Sequence, residues 1–279
     1  MNSMAKNESS SRIVTSVVAV ISAAALAVSL IAAGFAACAV PDVSTKALAS
    51  VYSTDGASPF TKDELVAAAV QTKHYTIDDN DKAAVYATIA AINAQEALAG
   101  TAGKGAPKID ATANYATGEL SGEQVAALET AFDAASERYV LTPDAVSHLD
   151  DVFGVVQAAK WWLLAAVVAA CVGCTATAFR GGKRLLGRVL AGAGVFVLAV
   201  FALLAAWVAI DFDGFFAQFH SLFFAAGTWT FSWDSLLICM YPPEFWVGMG
   251  AIWLVVTVAC CVVCITIGRL LRKGSTQKR

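Results

Sequence analysis

Three histidines stand in this 279-residue sequence, and they are nearly the only side chains able to exchange a proton near neutral pH. Two of them sit where imidazole chemistry would use them. Asp144 and Asp151 lie four and three residues from His148, so on a helix each shares its face. A carboxylate beside an imidazole fixes its tautomer and raises its pKa. The same spacing also describes a surface histidine at a solvated, acidic helix start. His220 lies within Phe215-Phe216-Ala217-Gln218-Phe219-His220-Ser221-Leu222-Phe223-Phe224, followed by Trp229 and Phe231 to Trp233. An imidazole among so many rings is poorly solvated; its pKa falls and it stays neutral, as a general base must. A headgroup-level residue bonded to a backbone carbonyl reads equally well. His74, beside Lys73 and Tyr75 near a helix end, is assigned no carboxylate partner and is read as serving the helix dipole. No P-loop, G-x-S-x-G or H-E-x-x-H motif occurs.

The elements that must position these residues belong to a membrane. The chain is 58% hydrophobic and only 15% charged, with a mean hydropathy of +0.63, outside the usual range for a soluble domain. Runs 13–39, 157–179, 185–210 and 245–271 each reach the roughly 20 apolar residues that cross about 30 Å of hydrocarbon. Lys6 and Arg12 precede the first span. Arg180, Lys183 and Arg184 crowd the connection 180–184, with Arg188 just inside the third span. Arg269, Arg272, Lys273, Lys278 and Arg279 sit at the end of the fourth and beyond it. Asp and Glu dominate 40–156, and Asp211, Asp213, Asp234 and Glu244 mark 211–244. By the positive-inside rule, residues 1–12, 180–184 and 272–279 are cytoplasmic, and 40–156 and 211–244 face outward. The expected fold is therefore all-α: a four-transmembrane-helix integral membrane protein with a small helical extracytoplasmic cap between spans one and two. Both His148 and His220 fall on the outer side. The first span, ending Gly34-Phe35-Ala36-Ala37-Cys38, is long for a signal sequence, and Phe35 stands where a lipobox wants Leu, so a retained helix is expected.

Within the cap, 41–60 reads as an irregular lead-in. Thr61-Lys62-Asp63-Glu64 is a capping box opening a helix to about Lys73. Residues 81–98 are Ala-rich and helical, and 100–118 form a Gly-rich loop. Ser121-Gly122-Glu123-Gln124 is a second capping box, its helix running to about Tyr139. These helices carry Ala rather than large side chains, which leaves the cap little core of its own. Thr142-Pro143-Asp144 starts a helix that runs unbroken into span two. Of seven cysteines only Cys239 falls in an outer loop. The pairs Cys171/Cys174 and Cys261/Cys264 match C-x-x-C, but lie in apolar spans and read as small packing residues.

Ser147-His148-Leu149-Asp150-Asp151-Val152 resembles an H-L-x-D-V motif. Phe219-His220 through Phe223-Phe224, Trp229, Leu237-Ile238 and Tyr241-Pro242 resemble F-H-x-x-F-F…W…L-I…Y-P. With four spans, these two motifs in this order resemble the integral membrane family of the lipoprotein intramolecular transacylases of Gram-positive bacteria, over about residues 140–246. The resemblance implies that the sn-2 acyl chain of a diacylglyceryl lipoprotein moves to the α-amino group of its own N-terminal Cys. It implies no cofactor and no metal, a lipid-anchored substrate among membrane lipids, and no nucleic acid. It makes His148 and His220 the catalytic pair, with Asp151, Trp229 and Tyr241 in support. Two departures stand out: Phe153 follows Val152 where the family often has a basic residue, and 81–139 reads as an insertion. The competing reading is a non-enzymatic membrane protein that binds or scaffolds an envelope partner through its cap. Proximity of the two histidines separates the readings, because beyond about 10 Å they cannot share one reacting group.

Overall fold

A computed structural model describes residues 2–115 and 119–274. Lys278, Arg279 and residues 116–118 of the expected loop lie outside the described residues. Nine helices run in order among those described: α1 Asn2–Ala39, α2 Asp42–Tyr52, α3 Lys62–Ile77, α4 Lys82–Ala99, α5 Gly122–Asp133, α6 Pro143–Ile210, α7 Phe212–Ser221, α8 Leu236–Met240 and α9 Pro243–Gly274. No strand occurs among them. The chain divides into one compact unit of residues 1–37, 158–215 and 251–279 and a second of 38–157 and 216–250.

The first unit holds most of the long apolar runs. Three described helices are long and apolar enough to cross a membrane: Ser10–Ala39, Pro143–Ile210 and Pro243–Gly274. α6 has 68 residues and is broken at Gly182, whose φ of 71° and ψ of 179° are not helical. Positive φ costs an L side chain but not glycine, so the break falls at the one residue type that accepts it freely. The chain reverses there. Thr177 Oγ1 lies 3.2 Å from Ser22 Oγ of α1, while Val197 and Phe201 cluster with Ala27 and Leu30. On a straight helix Thr177 and Val197 would stand about 30 Å apart, but their partners on α1 span only about 12 Å.

Close helix approach is set by small residues. A Cβ on Gly268 of α9 would lie 2.6 Å from the Gly187 carbonyl oxygen and 2.9 Å from the Ala191 nitrogen. Both are backbone atoms that cannot rotate away. Trp253 Nε1 donates to the Ile31 carbonyl at 3.0 Å, joining α9 to α1.

The second unit carries both histidines of interest. Its core draws large side chains from segments far apart in sequence: Phe60, Leu65, Tyr75, Ile89, Phe132, Leu141, Leu236, Met240 and Phe245. Residues 216–250 therefore help to form it, and the core is not confined to 40–156. Both capping boxes are present, Thr61 with Glu64 and Ser121 with Gln124. Four local expectations are corrected. Residues 42–52 form α2 rather than an irregular lead-in, because its buried face consists of Ser44, Thr45 and Ala49, which leave no apolar stripe to read. α3 continues past Lys73 to Ile77. α5 stops at Asp133 instead of about Tyr139. Tertiary hydrogen bonds win there: Ser136 N donates to Gly105 O at 2.8 Å, and Asn93 Nδ2 to Tyr139 O at 2.9 Å. Cys239 is fully buried on α8, not in a loop, and burial pushes its thiol up to about 11.

His74 also has the partners denied to it above. Its Nδ1 lies 2.7 Å from Asp78 Oδ2, four residues on, and its Nε2 lies 3.2 Å from Asp42 Oδ2. The buried Lys73 ammonium bridges the same two carboxylates at 3.0 and 3.1 Å, clasping α2 to the end of α3.

Gly268→Ala should destabilise the protein by about 1–3 kcal/mol through overpacking. Gly192→Ala, at a position with open space around the added methyl, should be neutral or slightly stabilising. Thermal unfolding midpoints in detergent check both, and equal midpoints would mean that the helices part freely at Gly268.

Candidate active site

His148 lies on the second turn of α6. Thr142 caps that helix, its Oγ1 accepting from Ala145 N at 3.3 Å. Ala145, Val146 and Leu149 are buried on neighbouring turns, so His148 is drawn inward with them and is only 8% exposed. The helix start is tethered from several directions. Tyr75 OH and Asn80 Nδ2 both donate to Asp150 Oδ1. Gln157 Nε2 donates to Ile77 O at 3.3 Å, and Leu236 N donates to Glu137 O at 2.7 Å.

His220 is in the last turn of α7, not in an open loop. Its Nδ1 lies 2.9 Å from the Phe216 carbonyl oxygen one turn back. A carbonyl oxygen only accepts, so Nδ1 carries the proton and, in the neutral ring, Nε2 carries the lone pair. The His220 carbonyl accepts from Phe223 N and Phe224 N at 3.0 and 2.9 Å, fixing the turn that follows.

The two imidazoles meet. Their centroids are 6.2 Å apart with planes within 29°. Rings wall them in: Phe224 and Phe231 lie 4.9 and 5.7 Å from His148, and Phe216, Trp229 and Phe224 lie 4.0, 4.9 and 5.7 Å from His220. Burial pulls His148 down to about 4; the positive charge of His220 adds to this, and Asp151 opposes it. Burial also lowers His220, with its bond to Phe216 acting the other way.

Two of the sequence-predicted supporting residues are placed elsewhere. Asp151 is exposed and makes no hydrogen bond to His148, whose Nδ1 is buried without a partner. The expected rise in the His148 pKa is therefore reversed: the carboxylate is hydrated and weak, and desolvation wins. Tyr241 is buried, donates to the Ala69 carbonyl and packs on Phe245 and Trp246. It holds α8 against α3 and has no ring contact with either histidine. Trp229 does reach the site. Sequence reasoning missed Asp150, Tyr75 and Asn80, which lie too far apart in the chain for spacing to pair them.

A pair of neutral imidazoles inside an aromatic chamber can pass a proton and polarise a carbonyl. This pair sits in a protein that is all-helical among the described residues and carries apolar helices long enough to cross a membrane. Residues 105–246, about half of the chain, match the family of the lipoprotein intramolecular transacylase Lit. The chain belongs to this family, and is a membrane protein of its intramolecular acyl-transfer class. The match takes in the latter part of the segment expected as an insertion. The in meso structure of the membrane-integral lipoprotein intramolecular transacylase Lit from Bacillus cereus shares the fold, with a TM-score of 0.66 at 15% identity over 95% of this chain and 98% of that one. Two variants of that protein, with a histidine replaced by alanine or by arginine, give TM-scores of 0.61 at 14% and 15% identity. They cover 97% and 98% of this chain and 99% of theirs. No curated protein sequence matches the chain.

The lowered His148 pKa makes stability pH-dependent. Unfolded, His148 takes a proton near 6.5; folded, near 4. Between those values the unfolded chain binds more protons, so stability is full above 6.5 and is lost as pH falls toward 4. His220 adds to this with the same sign. The unfolding midpoint should drop between pH 7 and 4.5, and less steeply in His148→Phe. Equal slopes would show that His148 is not desolvated.

Proposed function

We propose that His148 and His220 carry the transfer of the sn-2 acyl chain of a diacylglyceryl lipoprotein to the α-amino group of its N-terminal Cys. The observation that carries this reading is the 6.2 Å pair in its aromatic chamber, close enough for one bound ester to reach both rings. His220 acts as base through Nε2. Its Nδ1–H bond to Phe216 O orients the ring and supports the positive charge it gains. His148, with a pKa near 4, is a poor base and stays neutral, so it polarises the ester carbonyl as a hydrogen-bond donor. The amine nitrogen attacks the carbonyl carbon and gives a proton to His220. The carbon–oxygen bond to glycerol then breaks, and the glycerol oxygen takes the proton back. Amide and alcohol result, with no redox change and no cofactor. Amine and ester sit on one molecule, so proximity lowers the barrier further.

The proposed topology is four crossings, with the two parts of α6 on either side of Gly182 each making one. Arg180, Lys183 and Arg184 beside that break support a cytoplasmic turn. Both termini are then cytoplasmic, and the histidine site lies at the outer leaflet, where lipoprotein lipid is held. Residues 40–156 and 211–244 form the extracytoplasmic side.

The test is mass spectrometry of a reporter lipoprotein's N-terminal peptide in a host that makes only the diacylglyceryl form. Wild type should yield the N-acyl, S-monoacylglyceryl peptide. His220→Ala should reduce this by about 100- to 10,000-fold. Unchanged diacyl peptide with well-expressed wild type would favour the partner-binding alternative.

A further inference from the structure

Four buried side-chain nitrogen or oxygen atoms lack a hydrogen-bond partner among the described residues: Asn93 Oδ1, His148 Nδ1, Trp229 Nε1 and Thr257 Oγ1. They differ in kind. Asn93 Oδ1 is an acceptor whose own amide nitrogen is already bonded, and an imidazole nitrogen without its proton only accepts. A hydroxyl can turn to whatever lies near. An indole N–H is a donor and nothing else, so Trp229 is the one obligate donor left unmatched. It is also the one held beside the base: its ring centroid lies 4.9 Å from that of His220, with planes 34° apart, and 6.3 Å from Phe216.

Packing alone does not call for a tryptophan here. The other rings of this chamber, Phe216, Phe224 and Phe231, are all phenylalanine, which fills space without bringing a polar atom. The segment is also shaped rather than loose. Gly227, at φ 87°, turns the chain just before Trp229, and Phe231 packs on the buried core just after it. The indole is thus fixed with its N–H shielded from water and given no protein acceptor.

An acceptor arises in the reaction. When the amine adds to the ester, the carbonyl oxygen becomes an alkoxide, and a preorganised donor is worth most against that charge. We infer that Trp229 is a second catalytic donor, its Nε1–H binding the ester carbonyl oxygen and the oxyanion alongside His148. This rests on the transacylase reading above. No proton is transferred from the indole; it holds the oxygen while the C–N bond forms and the ester C–O bond breaks.

The experiment replaces Trp229 with β-(3-benzothienyl)alanine, in which sulfur takes the place of the N–H in a ring of nearly the same shape. The purified full-length protein is assayed in detergent with a synthetic diacylglyceryl-cysteinyl peptide, and Trp229→Phe serves as a second variant. We expect kcat to fall by about 100-fold, KM to change by less than about threefold, and the melting temperature to hold or rise, since an unmatched buried donor has been removed. A kcat within about threefold of wild type overturns the inference. A loss of kcat accompanied by a lower melting temperature also overturns it, because the N–H would then be supporting the fold. A wild type that does not turn over the peptide defeats the transacylase reading itself; an active wild type with an unaffected analogue defeats only the role of Trp229.

Discussion

Desolvation of two imidazoles is the constraint on which the site depends. In water an imidazole titrates near 6.5, and two of them 6.2 Å apart would each lower the other only modestly. Here the rings of Phe216, Phe224, Trp229 and Phe231 replace water on most sides, and no carboxylate bonds to either histidine. Burial is accordingly the largest cause of both lowered pKa values. The contrast with His74 is instructive. That ring lies between two carboxylates beside a lysine ammonium, an arrangement that suits a structural clasp.

Holding the buried His148 and the half-buried His220 at a fixed separation needs a rigid frame, because each lies on a different part of the chain. The frame is the core of the second unit. Its large side chains come from 38–157 and from 216–250 together, so neither stretch supplies that core alone. The Asp150 carboxylate, two residues beyond His148, ties α6 to Tyr75 and Asn80, and Tyr241 ties α8 to α3. Tyr241, singled out by its motif position, thus holds backbone in place.

What could be read from the sequence divides along the range of the interaction. The Thr61 and Ser121 capping boxes and the Thr142-Pro143 helix start depend on residues within one turn, and they stand where expected. The apolar runs follow from composition alone. α2 is not legible because Ser44, Thr45 and Ala49 bury a face without an apolar pattern, and α5 ends early because of bonds to Gly105 and Asn93, neither adjacent in sequence. The Asp78 partner of His74 is legible at a spacing of four, where it caps the end of α3. The sign of the His148 pKa is not: spacing places Asp151 nearby, but only the fold shows it exposed while the imidazole is buried.

The hydrogen bond from His220 to Phe216 decides how the two histidines divide the work. It fixes the proton on Nδ1, so the lone pair at Nε2 is available without a tautomer change. It also favours the charged ring, partly offsetting burial, and so leaves His220 more basic than a bare desolvated imidazole. His148 has no such bond: its Nδ1 is unmatched, the nearby positive charge of His220 works against protonation, and its pKa falls to about 4. A ring that resists a proton this strongly is unsuited to taking one from an amine, but a neutral imidazole can still donate its own N–H toward a carbonyl. The asymmetry follows from one backbone carbonyl being in reach of one ring and not the other. Exchanging the roles would require His148 to accept a proton in the less favourable of the two environments.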